Sequence, residues 1–182
     1  MARIGGSDEV LARQSALGDR AAFADLVRRH TPAMSRYAYR MLGNSHDAED
    51  VVQEAFLSAW RGLAGFRGES TVRTWLFRLV ATKALNSRRR SRPVPAEVDI
   101  LAEQASSEPG PATRAVDARM LADLQVALAA LPARQRACWL LREVEDLGYR
   151  EIAEVLATTP TVVRGQLERA RTELAERMAP WQ

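Results

Sequence analysis

Basic and aromatic side chains are interleaved in one short part of the chain, residues 61–92. This stretch carries a single acid, Glu69, against nine basic residues: Arg61, Arg67, Arg73, Arg78, Lys83, Arg88, Arg89, Arg90 and Arg92. Arginine and lysine attract phosphates, and aromatic rings stack on unpaired bases for roughly 1–3 kcal/mol per base. The rings of Phe66 and Trp75 therefore indicate a surface for melted nucleic acid, with core packing as the alternative. For Phe77 the spacing favours the core.

The preceding stretch has the opposite charge. Residues 43–59 contain no lysine or arginine, and their acids are Asp47, Glu49, Asp50 and Glu54. On a helix, Asp50, Gln53 and Glu54 lie a turn apart on the side away from the apolar residues. The spacing by itself fits either a solvated helix face or a surface that docks on a protein.

Near the C-terminus the chain carries the pattern of a helix-turn-helix. A short apolar-periodic stretch at residues 149–156 is followed by Ala157-Thr158-Thr159 and by Pro160, a residue suited to a helix's first turn. Val163 and Leu167 can hold the second helix against the first. The outer face of the second helix then presents Thr161, Arg164, Gln166, Arg169 and Arg171. In the major groove arginine favours guanine and glutamine favours adenine, so this pattern predicts duplex reading, with a purely structural helix pair as the alternative.

Helical periodicity accounts for most of the chain, because apolar residues recur at steps of three and four while strand signals are nearly absent. Residues 93–116 differ, since they carry four acids and four prolines, two of which flank Gly110, and have no sustained apolar period, as is typical of linkers. We therefore predict an all-α protein with two small helical domains, residues 1–92 and 117–182, joined by a flexible linker at 93–116. Further helices are predicted at 71–90 and 134–144.

Single residues predict some helix ends. Asp19 is expected to cap a helix after the break at Gly18. Pro32 is expected in the first turn of the next helix, and Gly43-Asn44 should end that helix.

Composition excludes several classes of function. Of the 182 residues only Cys138 is a cysteine, so no internal disulfide can form, and the apolar residues around it predict a core thiol in a reducing cytosol. No apolar run reaches the roughly 20 residues that cross a bilayer, so we expect a cytoplasmic protein without membrane insertion. His30 and His46 are the only histidines, and no metal-ligand cluster, phosphate-binding glycine loop or nucleophile–base pair is present. No enzyme activity, metal or cofactor is predicted.

Three stretches resemble the extracytoplasmic-function sigma factors of bacterial RNA polymerase. Residues 47–60 (Asp-Ala-Glu-Asp-Val-Val-Gln-Glu-Ala-Phe-Leu-Ser-Ala-Trp) look like region 2.2 of that family. The segment Gly65-Phe66-Arg67-Gly68-Glu69-Ser70 and residues 74–78 (Thr-Trp-Leu-Phe-Arg) resemble its promoter-opening region. Leu131-Pro132, the run 149–153, Arg164 and the run 167–171 resemble region 4. Because their order and spacing also agree, the resemblance covers nearly the whole chain.

The resemblance implies a protein that binds core RNA polymerase, recognises the minus-thirty-five and minus-ten promoter elements and helps to open the duplex. An anti-sigma factor is a further implied partner. The residues implied to dock on the polymerase are Asp47, Asp50, Gln53 and Glu54. Those implied at the minus-ten element are Phe66, Arg67, Arg73, Trp75, Arg78, Thr82, Lys83 and Asn86. Those implied at the minus-thirty-five element are Tyr149, Thr161, Arg164, Gln166, Arg169 and Arg171.

The chain departs from the family pattern at positions that face bases. Thr82 stands where members often carry Asn, while Thr161-Val162-Val163 and Gly165-Gln166 replace Gly-Thr-Val and Ser-Arg. The preferred promoter bases are therefore not predicted. The competing hypothesis from another class is a stand-alone helix-turn-helix regulator whose N-terminal half dimerises or binds an effector.

Overall fold

The computed structural model describes residues 6–90 and 111–179. Within these ranges the chain forms α-helices and no strand, which confirms the prediction of an all-α protein. The α-helices are α1 (Asp8–Ala16), α2 (Arg20–Leu42), α3 (Ser45–Gly62), α4 (Val72–Arg90), α5 (Pro111–Ala130), α6 (Ala133–Trp139), α7 (Tyr149–Val155) and α8 (Pro160–Arg177). A 3-10 turn at Leu63–Gly65 follows α3, and a π-helical turn at Leu140–Val144 continues α6.

The N-terminal half is built on α2, α3 and α4, which pack on one another around a shared apolar core. Tyr37 of α2 and Phe77 of α4 meet there edge to face, with ring centroids 5.7 Å apart and planes at 88°. Both side chains are almost fully buried, which confirms that Phe77 is a core residue. The same packing gives α4 a fixed orientation relative to α3.

Two of the predicted helix signals are confirmed. The Asp19 carboxylate accepts hydrogen bonds from the backbone N–H groups of Ala21 and Ala22, so it caps α2. Gly43 ends α2 in the left-handed conformation, with φ of 74°. Asn44 then caps α3 by accepting a bond from the Asp47 N–H at 2.9 Å.

The expectation for Pro32 is wrong, because α2 runs through Pro32 without ending there. A proline inside a helix lacks an N–H and costs about 3 kcal/mol or more. Here Leu26 and Met34, on either side of Pro32, are both buried in the same core. Their burial requires one continuous helix, and packing of that size offsets the local cost of the proline.

The C-terminal half ends in the predicted helix-turn-helix. Thr159 caps α8 by accepting a hydrogen bond from the Val162 N–H, and Pro160 lies in the first turn. Val163 and Leu167 are buried against the rest of this half, as their spacing predicted. Helix α6 is shorter than the predicted helix at 134–144, because a π-helical turn takes over from residue 140.

Part of the predicted linker, at residues 91–110, lies outside the described residues. Helix α5 begins at Pro111, so the last six residues of the predicted linker, 111–116, are helical. Proline suits a first helical turn since its missing N–H has no partner there in any case. The two halves on either side of this segment are in contact, chiefly through α4 and α7.

Candidate protein and nucleic-acid interfaces

Helix α3 presents the acidic face that the sequence predicts for protein docking. Its Asp50, Gln53 and Glu54 side chains are exposed, and Asp47 is half-buried in the first turn. Glu54 lies 3.4 Å from the Lys83 ammonium group of α4, so the acidic face borders the basic helix. The structure thus brings the four predicted docking residues to one side of α3, where they can meet a cationic partner.

An apolar groove adjoins this acidic face and was not predicted from the sequence. Leu57, one turn beyond Gln53 and Glu54, has 57% of its surface exposed. It lines a groove of about 570 Å³ together with Phe23, Gln53 and Trp60. The spacing of Leu57 from Asp50 and Glu54 was the available signal, because positions 50, 54 and 57 share one helix face.

Phe66 and Trp75 form a ring pair at the start of α4. Their ring centroids are 5.1 Å apart, and both side chains are half-buried. Gly62 lets the chain pass close to this pair, since a Cβ there would lie 3.3 Å from the Trp75 ring. Arg67, Arg78 and one acid, Glu69, join the two rings around a pocket of about 250 Å³, so cations outnumber acids in its lining. Cations beside exposed ring faces can bind a phosphate and stack a base at the same site.

The remaining predicted residues of α4 divide between two surfaces. Thr82 and Asn86 are exposed one turn apart, and the Thr82 hydroxyl donates to the Arg78 carbonyl oxygen at 2.7 Å. Lys83 turns toward Glu54, as described above. Arg73 is not brought to the ring pocket, because its guanidinium lies over the Phe77 ring and reaches into the C-terminal half.

The helix-turn-helix presents a cluster of cations around Tyr149. The guanidinium groups of Arg142 and Arg164 lie 5.6 and 6.0 Å from the centre of the Tyr149 ring. Arg171 donates to Glu143 at 2.6 and 3.2 Å, and this hydrogen bonding raises the pKa of Arg171. On α8, Thr161, Arg164 and Arg169 are exposed and Gln166 is half-buried. The predicted side chains of α8 therefore divide between two sides of the helix: Arg164 and Arg171 lie toward Tyr149 and Glu143, whereas Gln166 and Arg169 line a cleft toward α4.

A cleft of about 840 Å³ separates the exposed face of α4 from the start of α6, the end of α7 and the middle of α8. Its walls contain residues predicted to contact the minus-ten element and residues predicted to contact the minus-thirty-five element. The charged and amide side chains that line it are Arg78, Asn86, Arg89, Arg134, Gln135, Gln166 and Arg169. The cleft therefore has a cationic lining that favours an anionic occupant.

A buried carboxylate, Glu145, links the two halves. Its side chain has no exposed surface, and both of its oxygens receive hydrogen bonds or ion pairs from α2 and α4. Arg36 donates from Nε to Oε1 at 3.0 Å and from Nη2 to Oε2 at 3.1 Å. Arg73 adds a contact to Oε2 at 3.5 Å and a bond to the Glu145 carbonyl oxygen at 2.5 Å. No sequence signal identified this group, because its partners are far away in the chain.

Two further contacts cross between the halves. The Thr74 hydroxyl donates to Glu151 Oε1 at 3.0 Å, and Arg136 donates to the Met41 carbonyl oxygen at 2.8 Å. Arg136 is almost completely buried, and this burial, with Arg88 nearby, lowers its pKa to about 9. The guanidinium groups of Arg88 and Arg136 thus lie together at the C-terminal end of α2, where free carbonyl groups carry partial negative charge.

Within the part of the chain that the structure describes, no group of three or more His, Cys, Asp or Glu side chains could hold a metal ion. None of the described helices is both long and apolar enough to span a bilayer.

Comparison with protein families matches both halves of the chain. The Sigma-70 region 2 family model matches residues 26–94, and the Sigma-70 region 4 model matches residues 121–174. The region 2 match covers the acidic face and the ring pocket, and the region 4 match covers the helix-turn-helix.

Several curated relatives align along most of the chain. The ECF RNA polymerase sigma factor SigE of Mycolicibacterium smegmatis is 36% identical over 90% of this chain and 65% of that protein. SigG of Mycobacterium tuberculosis is 34% identical, over 86% of this chain and 48% of that protein. The chain thus spans about half to two thirds of the length of these relatives. It spans 95% of the ECF sigma-E factor of Escherichia coli, which is 33% identical over 96% of this chain.

Solved structures show the same fold. The structure of CnrH in complex with the cytosolic domain of CnrY matches with a TM-score of 0.73 and 28% identity, over 96% of this chain and 99% of that chain. RpoE of Bartonella quintana, solved in complex with the anti-sigma factor NepR, matches with a TM-score of 0.67 and 24% identity. That match covers 86% of this chain and 96% of that chain.

Proposed function

The chain belongs to the extracytoplasmic-function family of RNA polymerase sigma factors, and from this premise we propose that it directs core polymerase to promoters and helps to open them. One observation carries the proposal: an acidic docking face and a cationic ring pocket lie on adjacent helices of one half, and a helix-turn-helix lies in the other. A promoter-specific initiation factor needs all three surfaces. We assign residues 1–92 to polymerase binding and minus-ten recognition, 93–116 to a linker, and 117–182 to minus-thirty-five recognition.

The acidic face of α3 is our proposed contact with core polymerase. Asp47, Asp50, Gln53 and Glu54 would form its polar part, and the exposed Leu57 beside them would supply apolar contact. Interfaces combine a desolvated apolar centre with a polar rim in this way. The partner surface should therefore be basic with an apolar patch.

The ring pocket is our proposed site for a base that leaves the duplex at the minus-ten element. Extracting one base costs a few kcal/mol, and stacking offsets roughly 1–3 kcal/mol of that cost. Arg67 and Arg78 flank the Phe66–Trp75 pair and would hold the adjacent phosphates. Thr82 and Asn86 lie further along the same helix, where they could contact the next nucleotides, with Lys83 and Arg73 as flanking cations.

The face of α8 is our proposed reader of the minus-thirty-five element. Thr161 and Arg164 lie near the start of α8, the part of a recognition helix that reaches base edges. Gln166 and Arg169 would extend the contact on the side toward α4 and Arg171 on the side toward Glu143, and the Tyr149 ring supports Arg164. An exposed face rich in arginine at a helix start suits direct reading of guanine.

The remaining assignments follow from the family. We propose that the protein acts in the cytoplasm by binding and not by catalysis, that it needs no cofactor, and that an anti-sigma factor controls it. The stand-alone regulator is not favoured, because the region 2 match covers the half that such a regulator would use for dimerisation or effector binding.

Reconstitution tests the proposal. The protein is mixed with core polymerase and a library of promoter DNA, and the start sites of the transcripts are sequenced. We expect comigration with core enzyme and transcripts that start downstream of a shared two-part sequence. If the protein instead binds a duplex operator tightly by itself and leaves core polymerase silent, the proposal fails.

A further inference from the structure

We infer that Glu145, with Arg36 and Arg73, is an electrostatic latch that holds the two halves of the molecule closed in the absence of polymerase. The latch itself is a matter of conformation, whereas its consequence for promoter binding rests on the proposed function.

The Glu145 carboxylate forms ion pairs with two arginines, Arg36 and Arg73, that are far from it in the chain. Arg36 makes two near-parallel bonds to the carboxylate, the strongest arrangement available to an arginine and an acid. Arg73 contacts both the side chain and the main chain of the same residue. The acid lies between α6 and α7, and the bases lie on α2 and α4, so every one of these bonds joins the two halves.

The latch is reversible because its charges can regain water. The Glu145 side chain has no exposed surface in the closed form, whereas those of Arg36 and Arg73 are 30% and 38% exposed. When the halves separate, all three groups become hydrated, which offsets much of the ion-pair energy that is lost. A pair of this kind can therefore favour closure without making it permanent.

Closure brings together surfaces that a promoter would keep apart. Arg78, Thr82 and Asn86 line the same cleft as Gln166 and Arg169. Promoter elements that lie two turns of duplex apart are separated by roughly 70 Å. Surfaces that share one cleft cannot reach both elements together, so promoter binding requires the latch to open.

Arg73 adds a second link between the latch and DNA. It is one of the residues proposed at the minus-ten element, yet in the closed form it is bonded to Glu145. Opening therefore frees a cation for DNA at the moment when the two reading faces separate. A partner that binds the open form better shifts the population toward it by its difference in affinity for the two forms.

Neutral substitutions at the latch provide the test. Glu145→Gln and Arg36→Gln each remove one charge, and Asp146→Asn removes a charge from the neighbouring, 95% exposed side chain as a matched control. Small-angle X-ray scattering of the full-length protein measures the radius of gyration, and circular dichroism checks that the helices are retained. We expect the wild type and Asp146→Asn to be equally compact, and both latch variants to expand.

The double variant sharpens the result. If Glu145 and Arg36 act as one unit, Glu145→Gln combined with Arg36→Gln should expand the molecule little beyond Glu145→Gln alone. Should Glu145→Gln fail to fold, Arg36→Gln decides, since Arg36 is partly exposed and its loss leaves Arg73 on the carboxylate. Folded latch variants with the radius of gyration of the wild type would overturn the inference.

A binding measurement separates the latch from the proposed function. Without polymerase, the expanded Glu145→Gln protein should bind a minus-thirty-five duplex about tenfold more tightly than the wild type, because less energy is spent on opening. Expansion without tighter binding would leave the latch supported and would count against DNA reading by α8.

Discussion

The Tyr149 ring holds in position the arginine side chains that we propose to contact DNA. Arginines approach its ring from the π-helical turn after α6 and from α8, and the ring restricts the positions that Arg164 can take. A guanidinium that is held in place loses less entropy when it forms a bidentate contact with a base. At the scale of the residue, then, the Tyr149 ring orients cations, which is a different role from the base stacking that we propose for Phe66 and Trp75.

Arg164 and Arg169 should each contribute to reading of the minus-thirty-five element. Replacement of either residue by alanine is expected to weaken promoter binding by about 1–3 kcal/mol if the contact is to a base. The measurement is competition binding of the holoenzyme to promoter duplexes with single base changes. Arg177→Ala, at the far end of α8, is the control and should have little effect. Equal affinity for all three variants would contradict the role of α8.

Cys138 should be chemically silent in the folded protein. Its side chain is almost fully buried, and burial raises the pKa of the thiol to about 11. The rate of alkylation in the native state should therefore be very low at pH 8 and should rise steeply in urea, because the thiolate is the reactive form. Since the folded pKa exceeds the usual 9.0, the thiol's contribution to stability should be lost as the pH rises from about 9 through 11. Rapid labelling in buffer would show that Cys138 is accessible.

Helices α3 and α4 divide the functions of the N-terminal half by charge. They pack on each other, and Glu54 and Lys83 lie where their polar faces meet. An exposed pair of this kind adds little stability, so it does not explain why the acids are concentrated on α3. At the scale of the element, the acidic face is better understood as a surface for a basic partner.

Charge reversal on α3 tests this interpretation. Asp50→Arg with Glu54→Arg should abolish binding to core polymerase and leave the helical content unchanged, because both side chains are exposed. Comigration on gel filtration measures the complex. The control reverses two exposed acids of the other half, Glu154→Arg with Glu176→Arg, and so changes the net charge equally. Loss of binding in both proteins would indicate a general charge effect.

The turn between α2 and α3 depends on glycine. Gly43 has φ of 74°, a conformation that costs an L-residue roughly 1–2 kcal/mol. Gly43→Ala should lower the free energy of unfolding by about 1 kcal/mol, as measured by urea denaturation. Gly65→Ala is the control, because a Cβ at Gly65 meets no atom within 4 Å and its φ is not positive. A loss of stability that is equal in the two variants would refute the assignment to the turn.

The whole molecule is held in one arrangement by a small number of polar contacts between its halves. Glu151 takes part twice, because one oxygen accepts from the Gly148 N–H at the start of α7 and the other accepts from Thr74 of α4. The cap of a helix in one half is thus coupled to a helix in the other. If the halves separate for promoter recognition, as we propose, these contacts must be weak enough to break.

Thr74→Val tests the hydrogen bond between the Thr74 hydroxyl and Glu151, which joins the two halves. The variant keeps the shape of the buried side chain but loses the hydroxyl that bonds Glu151 in the other half and Thr71 in its own half, and we expect a loss of about 1 kcal/mol in the free energy of unfolding. Thr172→Val, which removes an exposed hydroxyl that bonds only within α8, should change it by less than about 0.5 kcal/mol. Thermal or urea denaturation compares the two. A larger effect for Thr172→Val would show that Thr74 is not a contact between the halves.

Local signals made much of the fold predictable. The Asp19 cap, the break at Gly43-Asn44 and the inward Val163 and Leu167 each depend on neighbours within four residues, and the structure confirms them. Pro32 was misread because burial of residues on both sides of it, a tertiary effect, outweighed the local cost. The predicted site residues of α3 lie together because they share one helix face, a matter of period alone, whereas those of α8 divide between the side toward Tyr149 and the side toward α4.

The amino-acid sequence by itself determined that this protein is helical, that its charges are divided between adjacent helices, and which family it resembles. Those properties are local, or they depend on the order of motifs along the chain. Only the tertiary structure decided that Arg73 turns from the ring pocket toward Glu145, that Leu57 and Trp60 border one groove, and that residues of both proposed DNA-binding surfaces line one cleft. The reason is that such contacts join residues far apart in sequence, and their positions depend on how whole helices pack.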